Sequence, residues 1–146
     1  QQTNRPVHEW PVKKNQSPIN GVTGKVGNIM STQLFTAFAD DTADLTLRIM
    51  QWKKIHHLPI VDHQETLVGL LTWNHIQGFI EKKQDGGMIP VSQIMVRSVI
   101  TTTTSTDIQD AIALMKKNQI GCLPVLQKNH LVGIITIDDL LKYDNG

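Results

Sequence analysis

Few side chains in this 146-residue sequence are equipped for chemistry, and the clearest pair is Thr136 and Asp139. They stand three apart ahead of an apolar run, in the pattern Gly-h-h-Thr-x-x-Asp that begins at Gly133. A hydroxyl and a carboxylate at that spacing have two uses. They cap a helix by satisfying its first backbone N–H groups, or they grip a ligand, since a carboxylate accepts two hydrogen bonds at once. Spacing alone leaves both open, and one helix start can serve both. The earlier stretch "LVGLLTWNHI", residues 67–76, keeps the hydroxyl as Thr72 but carries His75 where the acid stands. Losing a charge-assisted hydrogen bond costs about 1.5–3 kcal/mol. The later pair is therefore the stronger site.

The remaining candidates are histidines and one thiol. His56, His57, His63 and His75 gather in the first half with Asp62 and Glu65. Adjacent residues on a strand point to opposite faces, so His56 and His57 do not easily serve one metal. Neither HExxH nor Cys/His zinc spacing occurs, and no metal site is expected. The residue-level alternative for His56 and His57 is a pair of partly exposed strand-edge side chains without a role. Cys122 lies in "IGCLPV", apolar on both sides, and reads as a buried small hydrophobe rather than a nucleophile, which needs a neighbouring base and an electropositive pocket. A single cysteine excludes an internal disulfide framework and is consistent with a reducing, cytoplasmic setting. Paired carboxylates, a nucleophile–base pattern and a Walker-type phosphate loop are all missing from the sequence. No catalytic residues are expected.

The elements that must position these groups are written twice. "NIM" at 28–30 returns as "QIM" at 93–95, and "IHHLPIV" at 55–61 returns as "IGCLPVL" at 120–126. Met30 to Met95, Met50 to Met115 and Pro59 to Pro124 are each 65 apart, and the offset falls to 64 for Gly69 to Gly133 and Thr72 to Thr136. The lost residue falls in a polar loop, "DHQET" against "QKNH", where a deletion is cheap. Each copy has the same grammar. A short β-rich run ("LFTAF", 34–38; "VITTT", 99–103) precedes an amphipathic helix, marked by Ala43, Thr46, Leu47 and Met50 or by Ile108, Ala111, Ile112 and Met115. Thr106 and Gln109 predict a capping box at the second helix. Two apolar strands joined by the polar loop follow, and a closing helix starts after Thr72 or Thr136. Trp52 and Trp73 are expected in the core or between the repeats. The fold class is α+β, β-α-β-β-α twice, with two halves of about 60 residues, each near the lower limit for burying a core alone and therefore expected to pack sheet to sheet.

Bulk properties narrow the partners. The formal charge of +1 gives no electrostatic reason for nucleic acid or an anionic membrane surface, and no apolar run approaches the roughly 20 residues that span a bilayer. Residues 1–25 hold Pro6, Pro11 and Pro18 without periodicity and read as a linker or the tail of a preceding domain. The start "QQTNRPVHEW" has neither an initiator Met nor a signal-peptide pattern, so a piece of a longer polypeptide with a fused upstream domain is expected. The repeats are placed at 26–82 and 89–146.

The combined order of "IM" entry, Thr-bearing first strand, helix ending near Met, "LP", "LVG" and threonine, twice at a near-constant offset, resembles a CBS-domain pair (Bateman module) from Val26 to Tyr143. That resemblance implies pseudo-twofold symmetry, with clefts between the repeats that hold adenosine-containing ligands such as AMP, ADP, ATP or S-adenosylmethionine, none of them an obligatory cofactor. It also implies a homodimer of modules. Thr136 and Asp139 would contact ribose and phosphate, as Thr72 and His75 would in the weaker first site. Thr36 and Thr101 would touch adenine or ribose. Ile120, Gly121, Cys122, Leu123 and Pro124 would line the second site, where adenine meets backbone groups, and Pro59 would line the first. The residue before "LP" often reaches the phosphates; His57 holds that place in the first copy and the uncharged Cys122 in the second. The second site then favours a ligand with little phosphate, or draws positive charge from Arg97 or the partner repeat. Two functions follow: a regulatory sensor that controls an attached or partner domain, or a structural dimerisation module without nucleotide.

Overall fold

The computed structural model describes residues 23–82 and 88–145. The linker reading of residues 1–22 and the stretch 83–87 lie outside them. The elements run α1 (Val26–Ile29), β1 (Ala37–Phe38), α2 (Ala43–Lys53), β2 (His57–Val61), β3 (Leu67–Thr72), α3 (Trp73–Lys82), a 3-10 turn at Val91–Gln93, β4 (Thr102–Thr103), α4 (Ile108–Asn118), β5 (Cys122–Gln127), β6 (His130–Thr136) and α5 (Ile137–Asn145). Two three-stranded sheets result, ordered β1-β2-β3 and β4-β5-β6, each with one parallel and one antiparallel pairing. The mixed α+β class and the doubled β-α-β-β-α order are as the sequence reads.

The first strands are shorter than "LFTAF" and "VITTT" suggest. Ala37 pairs with Ile60 and Thr102 with Val125. One step further back would set Thr36 opposite Pro59 and Thr101 opposite Pro124. Proline has no N–H for the ladder, so both pairings stop there. Thr36 and Thr101 consequently precede their strands, Thr36 exposed and Thr101 half-buried. The one-residue gap between the copies also has a local cause. The first hairpin closes over a loop in which the Asp62 carboxylate accepts the N–H groups of Gln64 and Thr66, both at 2.9 Å. The second turns in two residues, Lys128 and Asn129, with φ of 52° and 67°, the left-handed pair that a tight hairpin requires.

Of the residues that the periodicity marks, Ala43, Thr46 and Met50 in α2 and Ile108, Ala111, Ile112 and Met115 in α4 are buried, and Leu47 is partly buried against the first cluster. Thr42 caps α2 by accepting the Leu45 N–H at 3.2 Å. The helix cap expected at Thr106 falls one residue later. Asp107 takes the N-cap of α4 and its carboxylate pairs with Lys25, while the Thr106 hydroxyl turns back to the Thr103 hydroxyl at 2.9 Å. Trp52 is not a core residue either, being 75% exposed, whereas Trp73 packs against the first hydrophobic cluster.

The chain forms two compact units, and they do not follow the order of the repeats. One holds the described residues up to Leu34 together with those from Ile100 onward; the other is Phe35–Val99. In the former, Val26 joins Ile108, Met115, Leu123, Ile135 and Leu140 in one core. Ser31 exchanges two backbone hydrogen bonds with Ile134, at 2.8 and 3.0 Å, along the edge of β6. In the latter, Val91, Ile94 and Met95 join Met50, Leu58, Ile60 and Leu71, and Val96 exchanges two with Leu70 on β3, at 2.8 and 2.9 Å.

The recurring "IM" and "LVG" are two halves of one contact. A Cβ on Gly133 would lie 2.6 Å from Met30 Sδ and 3.0 Å from the Ser31 carbonyl oxygen; one on Gly69 would lie 2.3 Å from Met95 Sδ. Each methionine thus occupies the space that a side chain on the glycine would fill. Gly133→Ala is expected to cost about 1–3 kcal/mol, as overpacking does. Combined with Met30→Ala it should cost less than the sum of the two single changes, a coupling that a urea-melt double-mutant cycle reads directly.

Candidate functional site

The best-built polar site lies where β6 runs into α5. Thr136 is the N-cap, and its Oγ1 accepts the Asp139 N–H at 3.2 Å, while Asp139 Oδ2 accepts the Thr136 N–H at 3.0 Å. This is a complete capping box, so the structural role that the spacing allowed is present. It engages one carboxylate oxygen. Among the described residues, Oδ1 carries no hydrogen bond. Burial raises the Asp139 pKa above its ordinary value, against the lowering effect of the two Thr136 bonds and of Lys142 one turn along the helix; nearby Asp138 adds to the rise. A half-buried carboxylate with an open oxygen is a poorly solvated acceptor, and hydroxyl donors would relieve it.

The other first-turn donors are partly committed. The Ile137 N–H donates to the Gly121 carbonyl at 3.1 Å, which ties the helix start to the residue before Cys122. With Asp138 and Asp139 in that turn, the helix start carries two acids that oppose a polyphosphate. Cys122 pairs across the ladder with Thr136 and is 3% exposed. Burial, reinforced by the Asp139 charge, pushes its thiol well above the usual range, as the small-hydrophobe reading requires. Ile120 is half-buried, and Gly121, Leu123 and Pro124 are buried beside it. The sequence reading missed Lys142, although its place three residues after Asp139 was the available signal.

The corresponding start of α3 is half-built. Thr72 Oγ1 accepts the His75 N–H at 3.2 Å, and the Trp73 N–H donates to the His56 carbonyl at 2.8 Å, as Ile137 does to Gly121. His75 is exposed and returns no bond to Thr72 among the described residues. His75→Asp is therefore expected to close the box and place an acid in the first turn, raising stability by about 0.5–1 kcal/mol in urea melts.

His57, expected as a phosphate contact, sits in β2 opposite Thr72. Its Nε2 is enclosed and has no hydrogen-bond partner among the described residues. Burial, then the neighbouring His56, lowers its pKa to about 4, so the ring is neutral at pH 7 and offers no cation. A neutral ring does not supply the positive charge that a phosphate contact at His57 was expected to use, while the residue as a whole is half-buried, as the partly exposed alternative has it. Its ladder neighbour Pro59 is buried. His56 is exposed and meets Trp73 edge to face, ring centroids 6.5 Å apart. His63 stacks on Phe38 at 4.5 Å and its Nε2 lies 3.2 Å from the Asp40 carboxylate, away from any shared histidine cluster. Among the described residues no three of His, Cys, Asp and Glu converge on a metal position. Arg97 folds back to donate to the Ser92 carbonyl at 2.6 Å. No helix among the described residues is long and apolar enough to cross a membrane.

Comparison with known proteins bears on this arrangement. A solved structure of the CBS domain pair of protein MJ0100, in complex with 5′-methylthioadenosine and S-adenosyl-L-methionine, superposes with a TM-score of 0.77 at 28% identity, covering 86% of this chain and 98% of that one. A putative acetoin utilization protein (AcuB) from Vibrio cholerae gives 0.75 at 28% identity, covering 83% and 90%. Among curated proteins, a CBS domain-containing protein of Dictyostelium discoideum is 32% identical over 127 residues, 80% of this chain and 88% of that protein. Inosine-5′-monophosphate dehydrogenase of Methanocaldococcus jannaschii is 29% identical over 119 residues, 81% of this chain, and the match spans only 23% of that enzyme. The CBS domain family model matches residues 26–82 and 91–146. The chain belongs to the CBS domain family and carries two copies of its domain in tandem.

Proposed function

We propose that the chain is a non-catalytic regulatory module that senses an adenosine-containing ligand of low negative charge, held by the Thr136–Asp139 start of α5. The observation that carries this reading is the Asp139 carboxylate, half-buried, bonded to Thr136 through one oxygen and open at the other. Ribose hydroxyls supply the donors that such an oxygen lacks. Asp138 and the uncharged Cys122 disfavour a triphosphate, which points to a neutral or cationic ligand such as 5′-methylthioadenosine or S-adenosylmethionine ahead of ATP. The ligands bound by the MJ0100 domain pair are of this chemistry.

Regulation requires that the ligand favour one arrangement of the protein over another. The chain leading into the first repeat is well placed to register it. The Tyr143 hydroxyl, one turn beyond Asp139 on α5, donates to the Thr23 carbonyl at 3.4 Å, and Lys25 pairs with Asp107 at the start of α4. A domain attached upstream would feel α5 through this segment. The module works as a homodimer, in a cytoplasmic setting that keeps Cys122 reduced.

The second reading is a purely structural dimerisation module, favoured by a capping box that is complete without any ligand. Thermal melting with 5′-methylthioadenosine, S-adenosylmethionine, AMP, ADP and ATP separates the two. A shift with the first two that is lost in Asp139→Ala supports the sensor. The wild type melting unchanged with all five supports the scaffold.

A further inference from the structure

The segment that leads into the chain's first repeat is fastened to α4 and α5 by polar contacts that its twin lacks. In the backbone the two arms dock alike. The Val26 N–H donates to the Thr106 carbonyl and the Ile108 N–H to the Gly24 carbonyl, both at 2.9 Å. The arm 65 residues later repeats both bonds, Val91 to Asp41 at 2.8 Å and Ala43 to Ile89 at 2.9 Å. Each arm therefore takes the first N–H of a long helix and completes its start. The side chains differ. α2 carries its own cap in Thr42, and its arm has Pro90 where the other has Lys25. α4 has Asp107 at the N-cap, a residue type that caps well, yet this carboxylate makes no cap bond and pairs with Lys25 instead. On α5 the Tyr143 hydroxyl reaches the Thr23 carbonyl, whereas Phe79 at the matching place has no hydroxyl to offer.

We infer that residues 23–25 form a releasable strap, in which Asp107 holds Lys25 while the strap is docked and turns to cap α4 when it lifts, and that Tyr143 ties this exchange to the α5 start. The fold supplies both partners of that carboxylate. The Lys25 and Asp107 side chains are 55% and 58% exposed, so their pair is weak and screened by salt. On release, Asp107 exchanges the ammonium for the N–H groups of the first turn of α4, which keeps the two states close in energy. Val26, wholly buried in the core, anchors the chain behind the strap and limits the opening to three residues. Gly24, at φ of 124°, lets the strap lie flat: a Cβ there would sit 3.3 Å from Ile108 Cδ1 and 3.6 Å from the Tyr143 oxygen. A pull on the chain ahead of Thr23 thus reaches α4 and α5 together. The tie to α5 deepens the sensor reading above and rests on it, since a ligand that favours the docked strap is itself favoured by docking, to the same factor.

Amide hydrogen exchange followed by NMR tests the strap in the ligand-free chain. Lys25→Ala should speed exchange at Ile108 about tenfold, as a local opening does, and leave Gly27, behind the Val26 anchor, unchanged. Exchange at Asp110 should slow, because the freed Asp107 carboxylate reaches the N–H at the third helical position. Ile108 and Gly27 changing in step, or an Asp110 rate that does not fall, overturns the strap. The tie to α5 is read with saturating S-adenosylmethionine. Exchange at Ile108 should slow by about fivefold or more in the wild type and not in Tyr143→Phe. A rise in melting temperature with Ile108 unmoved, or an equal slowing in Tyr143→Phe, overturns the tie. If the wild type melts unchanged with the ligand, the sensor reading and the tie fall together, while the ligand-free rates still decide the strap.

Discussion

Acidification from pH 7 to pH 4 should remove about 3 kcal/mol of folding stability through His57 alone. The ring has a pKa of about 4 in the folded protein against an ordinary 6.5, because burial disfavours the charged form and His56 adds to the effect. Above pH 6.5 both states leave the ring neutral and the shift contributes nothing. As the pH falls below 6.5 the unfolded chain takes up a proton that the folded protein refuses, so stability is lost until about pH 4, where the folded ring also titrates. A difference of roughly 2.5 pKa units at about 1.36 kcal/mol each gives the stated size. Asp139 works in the opposite sense. Its raised pKa lets the folded state bind a proton before the unfolded state does, which adds stability as the pH falls. Urea melts at pH 7, 5 and 4 on wild type and His57→Gln isolate the histidine. The variant should lose markedly less stability on acidification, and an identical loss in both proteins contradicts the burial of Nε2.

The second large effect is stabilisation by ligand. A molecule that binds only the folded state at 100 times its dissociation constant adds about 2.7 kcal/mol, whatever the details of its contacts. For a chain of this size that amounts to a rise of roughly 5–15 °C in melting temperature. Asp139→Ala should abolish the rise with S-adenosylmethionine or 5′-methylthioadenosine, and it should lower the ligand-free melting point too, because the capping box is worth about 1 kcal/mol. Asp139→Asn separates the two contributions. An amide oxygen can still accept the Thr136 N–H, so most of the cap survives, but the charge that strengthens the grip on ribose is gone. His75→Ala should leave most of the shift in place, since the first copy offers an exposed imidazole where the second offers the acid.

What the sequence disclosed and what it concealed divide along physical lines. Periodicity reports burial, and Ile108, Ala111, Ile112 and Met115 were legible because a helix buries every third or fourth residue whatever surrounds it. The repeat offset disclosed the two three-stranded sheets for the same reason. Where the entry segments dock was not legible. Met30 and Met95 are spaced as repeat markers, and nothing local says that Met30 settles on Gly133 while Met95 settles on Gly69. The strand lengths were misread because β propensity ignores partners, and four threonines at 101–104 cannot extend a ladder past Pro124. Thr106 lost its capping role to Asp107, a one-residue slip of the kind that helix ends commonly show. At the site, Thr136 and Asp139 were legible as a pair, and both their mutual bonds are present. The state of His57 was hidden, since a histidine before "LP" reads as basic until its surroundings are known, and enclosure of Nε2 makes it neutral. Trp52 was hidden in the opposite way. Aromatic residues usually belong to cores, and only the exposed face of α2 shows that this one does not.

Calorimetric titration of S-adenosylmethionine into the wild type and into Asp139→Ala puts the question to the α5 start itself. One binding event per chain in the wild type, with binding to the variant weakened beyond detection while its circular dichroism stays folded, is the predicted result. Equal affinity in both proteins would contradict it, because the ligand would then be held somewhere that the Asp139 carboxylate does not reach.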